Sequence, residues 1–152
     1  MSATATSARA AAASLPSFLA RRRVWQVCYL AALPAAVAAE VWGLIARAAG
    51  VPMRAASPGA QHASAIYVGM FAMGTMVVTF WFTFAVIAIA RFAKNPRRLY
   101  LRTTLPLLAL SLLVPFTAAD TPLSAKFTLT AAHLMAGAII IPVVASRLSR
   151  VR

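Results

Sequence analysis

Four apolar stretches, each long enough to cross a bilayer, are joined by segments that are alternately rich and poor in positive charge. No other feature narrows the fold so far. A run of about 20 apolar residues crosses the hydrocarbon layer as a helix, and a backbone in lipid must satisfy its own polar groups. The spans are read as roughly 24–49, 65–90, 101–119 and 124–146. Connections this short make consecutive helices antiparallel neighbours, so the expected fold is all-α, an integral-membrane up-down four-helix bundle. With 62% hydrophobic and 11% charged residues in 152, the chain has neither the length nor the polarity for a sizeable soluble domain beside the bundle. Residues 1–20, rich in Ala, Ser and Thr, read as a mobile cytoplasmic tail ahead of a transmembrane domain at 21–152.

A net charge of +13 would point a soluble protein towards nucleic acid, but here the basic residues are not spread over one folded face. They gather where apolar runs end. Arg9, Arg21, Arg22, Arg23, Arg91, Lys94, Arg97, Arg98, Arg102, Arg147, Arg150 and Arg152 fall on one side of a four-span chain, and Arg47, Arg54 and Lys126 on the other. The positive-inside rule then places both termini in the cytoplasm. Arg21, Arg22, Arg23, Arg97 and Arg98 are expected to attract anionic lipid headgroups, at about 1 kcal/mol each near the surface, and no nucleic acid is expected as a partner. Thirteen arginines against two lysines, with abundant alanine, fit a GC-rich bacterial genome, and hence a bacterial cell membrane. The start invites another reading: Arg21–Arg23 followed by an apolar run ending Ala36-Val37-Ala38-Ala39 resembles a cleavable secretory signal. Apolar residues continue past Glu40 through Val41, Trp42, Leu44 and Ile45, which favours one uninterrupted span.

Ionisable residues inside the membrane cost at least about 2.5–3.5 kcal/mol at a helix centre unless paired or hydrated. Two stand out, Glu40 in the first span and His133 in the fourth, each about ten residues below the outer end of its helix. Ala36, Glu40, Gly43 and Arg47 share one helical face, and Lys126, Thr130, His133 and Gly137 share another. Run antiparallel, the two faces set Arg47 beside Lys126, Gly43 beside Thr130, and Glu40 beside His133. The expectation is a Glu40–His133 polar pair, acting either as a packing lock between the first and last helices or as a polar ligand pocket or proton-responsive pair, with the third reading that the two do not touch.

The remaining signals are weaker. Thr75, Thr79 and Thr83 recur every four residues, and their hydroxyls can bond back to the helix's own carbonyls. Met70, Met73 and Met76, with Phe80, Trp81 and Phe84, make the second span bulky, as packing or lipid-facing surface commonly is. Pro34, Pro106, Pro115 and Pro142 fall inside three spans. Cys28 is the single cysteine, which excludes an intrachain disulfide. No ligand spacing for a metal, nucleophile motif or phosphate loop is present, so no cofactor is expected.

Leu44-Ile45-Ala46-Arg47-Ala48-Ala49-Gly50-Val51 at the end of the first span, with Ala132-His133-Leu134 and Ile139-Ile140-Ile141-Pro142 in the fourth, resembles an uncharacterised family of short four-helix integral membrane proteins common in actinobacteria. The resemblance covers about residues 22–148 and implies a four-helix membrane fold with no activity to transfer. Two classes of function follow. The favoured one is a non-enzymatic membrane protein that binds a protein partner, a lipid or a hydrophobic small molecule, as an accessory subunit or a homo-oligomer. The alternative is a small transporter or membrane enzyme in which Glu40 and His133 handle a proton.

Overall fold

The computed structural model describes residues 21–57 and 59–150; the tail expected at 1–20 lies outside them. Four long helices dominate: α1 (Val24–Ala48), α2 (Met70–Phe92), α3 (Pro96–Thr117) and α4 (Leu123–Leu148). Each is long and apolar enough to cross a membrane. Between α1 and α2 the chain forms a two-stranded antiparallel hairpin, β1 (Arg54–Ala55) and β2 (Ser64–Ala65).

The helix starts depart from the hydropathy reading in two places. α2 begins at Met70 rather than near Ala65, because Ser64–Ala65 pairs with β1 and Gly69 turns the chain at φ 91°. That φ lies in the left-handed region, which glycine enters without steric cost. α3 begins at Pro96 rather than Leu101, so Arg97, Arg98 and Arg102 belong to its first two turns and only residues 93–95 connect it to α2. Proline at the first helical position gives up an N–H that would have lacked a partner anyway, and arginine stems lie along the helix while their heads reach polar surroundings.

α1 packs against both α2 and α4, α4 packs against both α1 and α3, and α2 and α3 barely touch. The bundle is therefore a ring left open between α2 and α3. Burial agrees: 39% of the most apolar stretch of α1 lies inside, against 17% for α2 and for α3. The inner side of α1 is built from Ala31, Ala32, Ala35, Ala36, Ala39, Gly43 and Ala46, and α4 buries Ala125, Thr128 and Ala132. Small residues let helix backbones approach closely in lipid, where van der Waals packing and interhelical hydrogen bonds replace hydrophobic exclusion. The Trp42 indole N–H crosses between α1 and α4 to donate to the Thr128 carbonyl at 3.0 Å. Around the bundle, Leu33, Val37, Val77, Trp81, Phe84, Leu110 and Leu113 are exposed, an apolar girdle that water would not tolerate and lipid does.

All four helices meet at one end, where Cys28, Val86, Tyr100, Ile141, Val144, Ala145 and Leu148 form a buried, mainly apolar cluster. This is the basic end: of the described basic residues, all but Arg47, Arg54 and Lys126 lie at the helix termini gathered there. From this apex α2 and α3 diverge towards the opposite end.

At that opposite end the α1–α2 connection is a cap held by hydrogen bonds. The Ala56 N–H donates to Thr121 Oγ1 at 3.0 Å, and the Ala63 N–H to Asp120 Oδ2 at 3.3 Å. The Ile66 N–H reaches Met53 O at 2.8 Å, and Arg47 Nη2 donates to Ile66 O at 2.8 Å. The hairpin is thus stitched to the α3–α4 turn on one side and to α1 on the other. Asp120 adopts φ 47°, a left-handed conformation that aspartate accepts more readily than most residues. Thr121→Val is expected to cost about 1–2 kcal/mol, because the buried Ala56 N–H loses its acceptor. Arg54→Ala should cost under about 1 kcal/mol, since the 3.5 Å Arg54–Asp120 pair is half exposed. Thermal unfolding of both variants in one detergent checks the ranking; an equal or larger loss for Arg54→Ala contradicts it.

Candidate functional site

The divergence of α2 and α3 leaves a chamber of about 680 Å³ between them. One wall is α2, through Phe71, Gly74, Thr75, Val78, Thr79 and Thr83. Facing it is α3, through Tyr100, Thr104, Leu107, Leu108 and Ser111. The back is α4, through Ala132, His133, Ala136, Gly137, Ile140 and Ile141. Ala55, Ala56, Ser64 and Ile66 of the hairpin region roof it, and Cys28, Tyr100 and Val144 of the apex cluster floor it.

The polar groups on these walls come from the four-residue helical repeat. Thr75 Oγ1 donates to Phe71 O at 2.9 Å, Thr79 Oγ1 to Thr75 O at 2.8 Å, and Thr83 Oγ1 to Thr79 O at 2.7 Å. Thr104 Oγ1 donates to Tyr100 O and Ser111 Oγ to Leu108 O, both at 2.7 Å. A hydroxyl bonded back to its own helix can sit on an apolar wall without leaving a donor unpaired. Tyr100 is different. It is fully buried, and its hydroxyl has no hydrogen-bond partner among the described residues.

Glycine shapes two sides of this space. A Cβ on Gly43 would stand 2.8 Å from the Phe71 ring, and one on Gly137 2.8 Å from the Leu108 methyls, so both glycines are needed for those side chains to lie where they do. Gly74 has the opposite surroundings: a Cβ there meets nothing within 4 Å, because it looks into the chamber.

The residues singled out from the sequence lie on the expected helical faces, yet those faces meet other neighbours. Glu40 and His133 form no hydrogen bond or ion pair with each other. Glu40 Oε1 accepts the Gly69 N–H at 2.7 Å and Oε2 the Ala72 N–H at 3.1 Å, which caps the start of α2. Free N–H groups and the positive end of the helix dipole make that terminus a stronger partner for a carboxylate than an imidazole across the bundle. With Gly43 against Phe71 and Arg47 on Ile66 O, Glu40, Gly43 and Arg47 of the α1 stripe all face α2 and the hairpin.

The α4 stripe likewise turns towards α3. Lys126 Nζ donates to Phe116 O at 3.2 Å, on the last turn of α3, where a cation complements the dipole. Thr130 Oγ1 donates to Leu112 O at 3.3 Å, and Gly137 lies under Leu108. His133 is exposed, with Nδ1 2.8 Å from Leu129 O of its own helix. It stands where the chamber meets a smaller pocket of about 110 Å³ lined by Val114, Pro115 and Ala118 of the α3 end. Tyr100 is not singled out from the sequence and Trp42 counts there only as an apolar residue of the first span, since neither carries a spacing signal of its own. Among the described residues no group of three or more His, Cys, Asp or Glu is placed to hold a metal ion.

A family model described as "Family of unknown function (DUF6069)" matches residues 19–150. No curated protein and no solved structure matches the chain.

Proposed function

Because the chain belongs to this family of unknown function, which brings no activity to carry over, we propose from the chamber itself that the protein binds a membrane-soluble apolar molecule. The observation that carries the reading is the opening between α2 and α3. A four-helix bundle with these short connections has every reason to close, and this one instead keeps about 680 Å³ between two of its helices. That volume falls within the roughly 300–1000 Å³ of small-molecule sites. Most of its lining is carbon, its mouth faces lipid, and its entrance needs no passage through water.

The protein then acts as a small non-enzymatic, multi-pass binder in a bacterial cell membrane. The basic apex lies at the cytoplasmic face by the positive-inside rule, where Arg21, Arg22, Arg23, Arg97 and Arg98 hold anionic headgroups. The chamber mouth then runs from the inner half of the bilayer to the hairpin cap on the outer side. A proton-handling Glu40/His133 pair has less support, since Glu40 is engaged by the α2 amides and His133 by Leu129.

Native mass spectrometry of the protein released from its own membrane tests this. The expected spectrum has a discrete added mass, one per chain, that outlasts the loss of loosely attached phospholipid. A bare chain with only a graded series of phospholipid adducts would overturn the reading.

A further inference from the structure

The hydrogen-bond inventory of the chamber restricts what its ligand can be. Thr75, Thr79, Thr83, Thr104 and Ser111 each give their only hydroxyl proton to a backbone carbonyl, so towards the chamber they offer lone pairs alone. His133 is in the same position. A carbonyl can only accept, so the Nδ1 facing Leu129 O carries the ring proton, and in the neutral imidazole Nε2 is an open acceptor. At the roof Ser64 Oγ gives its proton to Ala55 O and Ser57 sits at the exposed rim; at the floor the Cys28 thiol and the Tyr100 hydroxyl are both buried. No Lys, Arg, Asp or Glu lines the space.

Below the rim such walls hold no cation and no uncommitted hydroxyl proton for an anionic headgroup, which brings only acceptors. They suit a molecule that supplies the missing proton. Building on the chamber reading above, we infer that the ligand is an uncharged amphiphile with a hydrogen-bond donor, an alcohol or phenol on a long apolar body. Its hydroxyl donates to His133 Nε2 and its apolar part lies along the α2 threonine face. Imidazole nitrogen is the strongest acceptor present, and His133 is the exposed polar side chain at the back of the chamber. Ordinary membrane phospholipid, whose charged phosphate finds no cation here, is discriminated against although it surrounds the mouth.

The test uses the full chain in phosphatidylcholine nanodiscs, a diazirine-bearing hexadecanol as photoprobe, and hexadecanol, its methyl ether and hexadecanoic acid as competitors. The expected result is labelling of the chamber walls of α2 and α4, displaced about tenfold better by the alcohol than by the ether or the acid, the ratio one hydrogen bond supplies. His133→Leu should level alcohol and ether while labelling persists, and His133→Gln, which keeps an acceptor, should restore part of the preference. If ether and alcohol compete equally in the wild type, or the acid competes best, the alcohol assignment is overturned and the chamber reading stands. If chamber residues are not labelled at all, the chamber reading falls and takes the assignment with it.

Discussion

Glu40→Ala is expected to lower the unfolding free energy in detergent by about 2–4 kcal/mol. Both carboxylate oxygens are in use, at 2.7 and 3.1 Å from the amides of Gly69 and Ala72, so the variant removes two charge-assisted bonds at once. It also leaves these part-buried N–H groups at the start of α2 without their acceptor. Because α2 joins the rest of the bundle chiefly through α1, loosening its start should loosen the whole helix. Glu40→Gln should recover about half the loss, since one amide oxygen can serve one N–H while its NH₂ repels the other. His133→Ala should change stability by less than about 0.5 kcal/mol, as its one bond is to its own helix. The double variant should then equal the sum of the singles within about 0.5 kcal/mol. A coupling of 1 kcal/mol or more in a double-mutant cycle would reinstate the Glu40–His133 pair.

Gly74→Trp should remove ligand binding while leaving the fold intact, lowering affinity by roughly 10- to 100-fold. Gly74 lies on the α2 wall with open space beyond it, so an indole there enters the chamber rather than a packed interface. Losing a mid-helix glycine also favours α2 by a few tenths of a kcal/mol. The expected signature is therefore a melting temperature unchanged or slightly raised, together with loss of the co-bound mass. Gly43→Ala and Gly137→Ala make the contrast, since their added methyls meet Phe71 and Leu108 at 2.8 Å and act first on packing. Undiminished binding in Gly74→Trp would place the ligand somewhere other than the chamber.

The four helices were legible because apolar length in a charge-poor stretch has few other uses. Their ends were less so. Ala65, Ile66, Tyr67 and Val68 are as apolar as a span, and only the pairing of Ser64–Ala65 with β1 and the turn at Gly69 withhold them from α2. The stripes Ala36–Glu40–Gly43–Arg47 and Lys126–Thr130–His133–Gly137 were also legible, since a period of three and four fixes which residues share a face. Period does not say which neighbour that face meets. In this open ring α1 and α4 each have two neighbours, and α1 turned Glu40 to α2 while α4 turned Thr130 to α3. The chamber was invisible for a related reason. It arises from how α2 and α3 diverge above the Tyr100–Val86 apex, a relation among several helices that no single stretch of sequence encodes. Its lining was partly in view, because Thr75, Thr79 and Thr83 announced a polar edge on an otherwise greasy helix.

A crystal structure grown from a lipidic mesophase, with the full chain taken from its own membrane, tests the central claim most directly. The expected result is α2 and α3 apart above the apex, with one elongated density between them that runs along Thr75, Thr79 and Thr83 and ends within hydrogen-bonding distance of His133 Nε2. Helices α2 and α3 packed against each other along their length, with no space between Gly74 and Ser111, would contradict it.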